Sequence, residues 1–96
     1  MLFAIHALDG PGGQEKRKAV YDAHRAHLAA AEKQGVTLVT AGPLVGDDGQ
    51  TSLGSLFVVE AADRATAEAF NQNDPFSKTG VWEKVSIHGY IKRQGK

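Results

Sequence analysis

The spacing of apolar and polar residues predicts two helices and four strands along the chain. The longest helical pattern covers residues 14–34, which contain no glycine or proline and are rich in good helix formers. Apolar and histidine side chains recur there at three- and four-residue steps and make one stripe of Val20, Ala23, His24, His27, Leu28 and Ala31. Arg17 and Arg25 lie beside this stripe, where they can face water. Gly35 follows as the expected helix stop.

Strand patterns with a two-residue period fill most of the remaining chain. They predict strands at residues 2–8, 36–41, 52–60 and 81–92. The second strand is expected to end before Gly42 and Pro43, which are a turn signal. Asp63 is the predicted N-cap of a second helix, and Asp74 before Pro75 is the expected start of a short helical turn.

The order of elements, β-α-β-β-α-β, predicts an α+β protein with a ferredoxin-like fold, in which a four-stranded antiparallel sheet carries both helices on one face. The length of 96 residues suits one core, so we expect a single domain over residues 1–96. The other sheet face is then uncovered, and its candidate apolar residues, depending on the register, are Leu2, Leu8, Leu53, Phe57, Val59, Trp82 and Tyr90. A two-fold homodimer that packs these sheet faces together is the simplest way to bury them.

The composition excludes several classes of function. The 11 Lys and Arg residues balance the 11 Asp and Glu residues, so the chain lacks the net charge that binding to nucleic acid or an anionic membrane favours. It has no cysteine, which excludes thiolate catalysis, disulfides and Cys-based metal sites; we expect a cytoplasmic protein. The apolar N-terminus breaks at Asp9 and Gly10, which is too early for a signal peptide or a membrane span.

A set of short motifs occurs along nearly the whole chain. They are MLFAIHALD at the start, Ala23-His24 followed by Gly35, Ala41-Gly42-Pro43, Gly54-Ser55, Asp74-Pro75-Phe76, Gly80-Val81 and Val85-Ser86-Ile87. In this order and spacing they resemble the YciI-like (YCII-related) family of dimeric α+β-barrel proteins. The resemblance implies an active-site His–Asp pair, which falls on His24 and Asp74. Many relatives carry an arginine where this chain has Tyr21, so either Arg17 or Arg25 replaces it or the ligand differs.

A histidine paired with a carboxylate is suited to acid–base catalysis. Imidazole exchanges protons near neutral pH, and a carboxylate bonded to one ring nitrogen fixes the tautomer and directs the other nitrogen at a substrate. We therefore interpret His24 as the base and Asp74 as its orienting partner in a lyase or isomerase that acts on a small aromatic or carbonyl compound. One branch of the similar family is a dehydrochlorinase of chlorinated hydroxyhydroquinones, and the wider superfamily includes lactone isomerases. The predicted substrate-binding residues are Ser55, Gly54, Trp82, Tyr90, His6 and His88.

Alternatives to this interpretation remain open from the sequence. Asp74 is also explained as a helix cap and His24 as a structural histidine, in a non-catalytic ligand-binding or structural dimer. His27 is predicted to flank the stripe; with His24 it lacks an evident third ligand, so we predict no metal and no cofactor. His6 and His88 are predicted to be neighbours on the helix-free face, either as polar groups of the pocket or as part of a wet interface.

Overall fold

Four strands and three helices follow one another along the chain. The computed structural model describes every residue from Met1 to Lys96. Its elements are β1 (Leu2–Asp9), α1 (Gly13–Ala29), β2 (Val36–Val45), β3 (Ser52–Ala61), α2 (Arg64–Gln72), α3 (Pro75–Lys78) and β4 (Trp82–Tyr90). A short 3₁₀ helix, Ala31–Gln34, connects α1 to β2.

The four strands form one antiparallel sheet in the order β2-β3-β1-β4. Ile5 in β1 lies opposite Phe57 of β3 and Ile87 of β4. Ile5 and Phe57 belong to a core of 13 buried apolar residues that also includes residues of α2 and α3, and Ile87 packs against this core. The predicted ferredoxin-like α+β fold, with its helices on one face of a four-stranded sheet, is therefore confirmed.

Three predicted elements end two or more residues away from their ends in the structure. The long helix ends at Ala29, and the chain continues in the 3₁₀ helix until Gly35, which has the left-handed φ of 77° expected of a helix stop. β2 continues through the turn signal at Pro43 and ends at Val45. It is an edge strand, which tolerates a proline because only one of its sides needs hydrogen bonds. The last strand is shorter than predicted and covers Trp82–Tyr90.

Two aspartates begin the two shorter helices, as the sequence predicts. Asp63 caps α2, because its carboxylate accepts hydrogen bonds from the hydroxyl (2.7 Å) and the backbone N–H (2.8 Å) of Thr66. Both bonds lower the pKa of Asp63, and the bond from the hydroxyl lowers it more than the bond from the backbone N–H does. Asp74 caps α3 by accepting a hydrogen bond from the backbone N–H of Phe76 at 2.9 Å, and Pro75 occupies the first helical position.

A β-bulge in β4 reverses the predicted orientation of Trp82. Leu8 of β1 lies opposite Lys84, but the next residue, Asp9, lies opposite Trp82, so β4 has one extra residue at this point. The bulge turns Trp82 toward the helices, where it is buried and packs edge-on against two phenylalanines of the core. The alternation in the sequence could not reveal this, because one extra residue in a strand puts the side chains before it and after it out of phase with each other.

The face of the sheet opposite the helices, called here the open face, is uncovered. Contrary to the prediction, Phe57, Val59 and Trp82 do not contribute to it, since all three are buried in the core. Leu53 lies beside an irregularity in the β2–β3 pairing and is exposed. The apolar side chains that alternate onto the open face include Leu2, Ala4, Leu8, Leu44, Leu56, Val58 and Tyr90. None of the helices combines the length and apolarity that crossing a bilayer requires.

Candidate active site

His24 and Asp74 form a buried hydrogen-bonded pair. His24 lies on α1 and Asp74 directly before α3, 50 positions away. His24 Nδ1 is 2.8 Å from one carboxylate oxygen of Asp74 and 2.9 Å from the other. A carboxylate can only accept hydrogen bonds, so Nδ1 is the donor and the neutral ring carries its lone pair on Nε2.

The position of Asp74 is fixed from two sides. Its Oδ1 accepts hydrogen bonds both from the backbone N–H of Phe76 and from His24 Nδ1. Asp74 is 1% exposed, so water does not compete for these bonds. The same carboxylate therefore both caps α3 and bonds to His24.

Aromatic rings hold the imidazole of His24 in place. It stacks on Phe76 with 3.8 Å between ring centroids and 3° between ring planes. The rings of His24 and Phe57 meet edge to face, with 6.4 Å between their centroids. Nε2 has no hydrogen-bond partner in the protein. Every buried side-chain nitrogen and oxygen in the molecule has such a partner, so Nε2 is not one of the buried atoms. Nε2 is therefore open to solvent, although His24 as a whole is only 8% exposed.

His24 lines a cleft of about 770 Å³ between α1 and one end of the β2–β3 hairpin. This volume is within the range of small-molecule binding sites. The innermost lining residues come from α1, β3 and α3 and are Arg17, His24, Ser55, Phe57 and Phe76. Residues of β2 and the hairpin loop, Ala41 to Pro43 and Gln50 to Ser52, form part of the rim.

Arg17 points into the protein, contrary to the prediction that it faces water. Its Nε and Nη2 donate to the two carboxylate oxygens of Asp9 at 2.7 and 2.9 Å. The two side chains are only 12% and 8% exposed, and this two-pronged geometry is the strongest that an arginine makes with a carboxylate. Nη2 also donates to the carbonyl oxygen of Gly54 at 2.7 Å and to Ser55 Oγ at 3.0 Å.

The predicted residues Ser55, Gly54 and Trp82 all belong to this network, but only Ser55 lines the cleft. Trp82 lies behind it and donates from Nε1 to Ser55 Oγ at 3.3 Å. Gly54 holds Arg17 through its carbonyl group. A Cβ atom at Gly54 would lie 2.1 Å from the carbonyl oxygen of Ala7, so only glycine allows β1 and β3 to pair at this position.

The other predicted residues do not lie at the cleft. His6, His88 and Tyr90 are exposed on the open face, where His6 lies opposite Ser86. The sheet separates them from His24 within one chain. His27 is also elsewhere, because its Nε2 donates to the carbonyl oxygen of Phe70 at 2.8 Å. No three His, Cys, Asp or Glu side chains are close enough to hold one metal ion.

Asp9 and the two phenylalanines of the cleft were not predicted as site residues. Asp9 belongs to a turn signal in the sequence, and its role depends on Arg17, which the helical stripe placed in water. One signal was present: Arg17 and His24 are seven residues apart, a spacing that puts two side chains on the same face of a helix. The second candidate arginine, Arg25, is exposed and lies over the ring of Tyr21, 5.9 Å from its centroid.

Comparisons with known proteins agree with this fold. The family described as YCII-related domain matches residues 1–90. Two curated relatives are similar, the proteins named Protein YciI from Escherichia coli O6:H1 (strain CFT073) and from Shigella flexneri. Each is 34% identical over an alignment of 97 positions that covers 96% of this chain and 98% of theirs.

A solved structure is also similar. It is 5-chloro-2-hydroxyhydroquinone dehydrochlorinase (TftG) from Burkholderia phenoliruptrix AC1100 in complex with 2,5-dihydroxybenzoquinone. It matches with a TM-score of 0.82 and 30% sequence identity, over 95% of this chain and 94% of that one.

Proposed function

The chain belongs to the YCII-related domain family, and we propose that it is a small cofactor-independent enzyme that moves protons on a small organic compound. The observation that supports this most is the geometry of His24. Its Nδ1 is bonded to the buried carboxylate of Asp74, while Nε2 has no protein partner and is open to solvent in a cleft of suitable size. In this proposal His24 is the base and Asp74 its orienting partner.

The proposed reaction begins when His24 Nε2 takes a proton from an O–H or an acidic C–H group of the substrate. The electron pair left behind enters the adjoining ring or carbonyl system. In a lyase it then expels a leaving group as an anion, and in an isomerase the proton returns from Nε2 to a different carbon. The carboxylate of Asp74 balances the positive charge on the ring while it holds the proton.

The substrate class that we propose is a single phenolic, quinoid or enolisable ring. Phe57 and Phe76 give the cleft two apolar ring surfaces next to His24. The similar dehydrochlorinase is named for a chlorinated hydroxyhydroquinone and was solved with a dihydroxybenzoquinone, which are compounds of this class. For this chain, elimination of HCl from such a ring would proceed in two steps. His24 would first move one O–H proton to the chlorine-bearing carbon, which gives the keto tautomer. It would then take a second O–H proton while the electron pair moves through the ring and expels chloride, which leaves a quinone, and the proton stays on His24.

The main alternative is a protein that binds such a compound without converting it. The same cleft would hold a ligand, and the bond between His24 and Asp74 would only keep a polar group satisfied in the core. The two functions differ in one observable, because a binder gives affinity without product.

The experiment is a screen of phenolic and enolisable compounds, including 5-chloro-2-hydroxyhydroquinone, with binding and conversion measured on the same samples. Conversion is followed by chloride release and by exchange of carbon-bound hydrogen for deuterium in D₂O. We expect at least one compound to be converted faster than in buffer. Binding of several compounds with conversion of none would contradict the enzyme and favour the binder.

We also propose that the protein is cytoplasmic and that two copies of it pair through the open face. The proposal is supported by the apolar side chains there, of which Leu8, Leu56 and Tyr90 are exposed in the single chain. Light scattering at micromolar concentration should give twice the chain mass of 10.2 kDa. A Leu56→Lys variant should give the single-chain mass, and a wild-type protein of single-chain mass would remove the proposal.

A further inference from the structure

The hydroxyl group of Ser55 is held by two groups that can only donate hydrogen bonds. Arg17 Nη2 donates to Ser55 Oγ at 3.0 Å, and Trp82 Nε1 donates to it at 3.3 Å. Neither a guanidinium N–H nor an indole N–H can accept a bond in return. Nη2 has two hydrogens for three acceptors, so the hydrogen that reaches Ser55 Oγ is shared with the carbonyl oxygen of Gly54. Oγ accepts from these two donors and donates to no protein acceptor, so its own hydrogen is free. Ser55 is 3% exposed and lines the cleft.

Arg17 also lines the cleft and has a second donor, Nη1. Its Nε and Nη2 are engaged by Asp9, and Nη2 also contacts the carbonyl oxygen of Gly54. Nη1 has no hydrogen-bond partner in the protein. Because every buried side-chain nitrogen has such a partner, Nη1 is open to solvent. The bonds to Asp9 fix the plane of the guanidinium group, so Nη1 is held in place before any ligand arrives.

We propose that the Ser55 hydroxyl and Arg17 Nη1 together bind a negatively charged oxygen of the ligand. This inference rests on the proposed function and specifies its substrate as a ring that carries a phenolate or enolate oxygen. A charged oxygen suits the site because it accepts two hydrogen bonds at once, from donors that do not have to reorient.

The two donors and the proposed base line the same cleft. Arg17 and His24 both lie on α1, on either side of a kink at Val20, and both contact Phe76. The guanidinium carbon of Arg17 is 4.9 Å from the centroid of the Phe76 ring. Ser55 lies two residues before Phe57, whose ring contacts His24 in an edge-to-face arrangement. In this proposal a single ring in the cleft places one group at His24 Nε2 and an oxygen at the two donors.

This placement gives each product of proton transfer a partner. The proton leaves the substrate for His24 Nε2, and the negative charge that remains on the substrate is shared through the ring with the oxygen at the two donors. That oxygen gains negative charge where the Ser55 hydroxyl and Arg17 Nη1 donate to it. Trp82 does not touch the ligand and is a positioning residue, because its N–H keeps the Ser55 hydroxyl from turning away from the cleft.

The test measures the affinity of the full-length protein for 2,5-dihydroxybenzoquinone by calorimetry. The neutral comparison compound is 2,5-dimethoxy-1,4-benzoquinone, which has no oxygen that ionises. Ser55→Ala should weaken binding of the ionised compound about ten- to hundredfold, as expected for a lost hydrogen bond to a charged group. The matched control, Ser86→Ala on the open face, should leave the affinity within about twofold of wild type.

Trp82→Phe provides a second variant that keeps the Ser55 hydroxyl but removes one of its anchors. It should weaken binding of the ionised compound by about three- to tenfold, less than Ser55→Ala does, because the hydroxyl can still donate after turning. Neither variant should change the affinity for the neutral compound by more than about threefold. This keeps the test decisive if Ser55→Ala folds poorly.

Three results would overturn the inference: no binding of 2,5-dihydroxybenzoquinone by the wild type, unchanged binding by both variants, or equal losses for the ionised and the neutral compound. The last of these would mean that the variants only damage packing. Failure here is distinguishable from failure of the proposed function. An enzyme that needs His24 but binds equally well without the Ser55 hydroxyl would retain the proposed chemistry and remove this oxygen site.

Discussion

Replacing His24 by glutamine is expected to lower the turnover number by about 10²–10⁴ on the substrate that the screen identifies. Glutamine keeps a group that donates to Asp74 but cannot take up a proton at neutral pH. The affinity for the substrate should change much less than the rate, because the walls of the cleft are otherwise unaltered. Steady-state kinetics with the purified variant measure both quantities.

The matched control for this prediction is His27→Gln, the same substitution on the same helix. His27 bonds to the backbone of Phe70 and does not line the cleft, so its variant should keep wild-type turnover. Circular dichroism of both variants shows whether the fold is retained. A folded His24→Gln protein with wild-type turnover would show that His24 is a structural histidine.

Replacing Arg17 by alanine is expected to lower the free energy of unfolding by about 3–5 kcal/mol. The reason is the carboxylate of Asp9, which is 8% exposed as a side chain and would lose both hydrogen bonds from Arg17. A buried charge without a partner is among the costliest changes in a protein. Urea unfolding at one fixed protein concentration measures the change, since dimerisation would otherwise contribute to it.

Two further variants identify the cause of that loss. Arg25→Ala, on the same helix but exposed, should change the free energy of unfolding by less than about 0.5 kcal/mol. Combining Arg17→Ala with Asp9→Asn should recover part of the lost stability, because the unpaired charge is then gone. A loss below about 1 kcal/mol for Arg17→Ala would mean that the pair behaves like an exposed one.

Alternation in the sequence was sufficient to predict much of the fold. In β1, Phe3 and Ile5 face the core and His6 the open face, as the two-residue period requires. The period failed for Trp82, because the bulge beside it depends on how β4 pairs with β1, and nothing in the local pattern records that. The end of β2 was predicted too early for a similar reason. A strand can continue through Pro43 only because β2 is at the edge of the sheet, and the local sequence does not show this.

The candidate site was predictable only in part. The pairing of His24 with Asp74 came from a family resemblance, because no local rule connects residues that are 50 positions apart. The Arg17–Asp9 pair was missed, since a charged residue beside an apolar stripe ordinarily faces water. Only the tertiary structure shows that Asp9, Gly54 and Ser55 surround the guanidinium group with acceptors.

The most direct test of the account is to identify which ring nitrogen of His24 carries hydrogen, by ¹⁵N NMR of the neutral imidazoles. His24→Gln assigns the signals, and Asp74→Asn shows whether the carboxylate controls them. We predict hydrogen on Nδ1 and a bare Nε2 in the wild type, with the Nε2–H tautomer gaining population in Asp74→Asn. Hydrogen on Nε2 in the wild type would contradict the account, because His24 could not then act as the base.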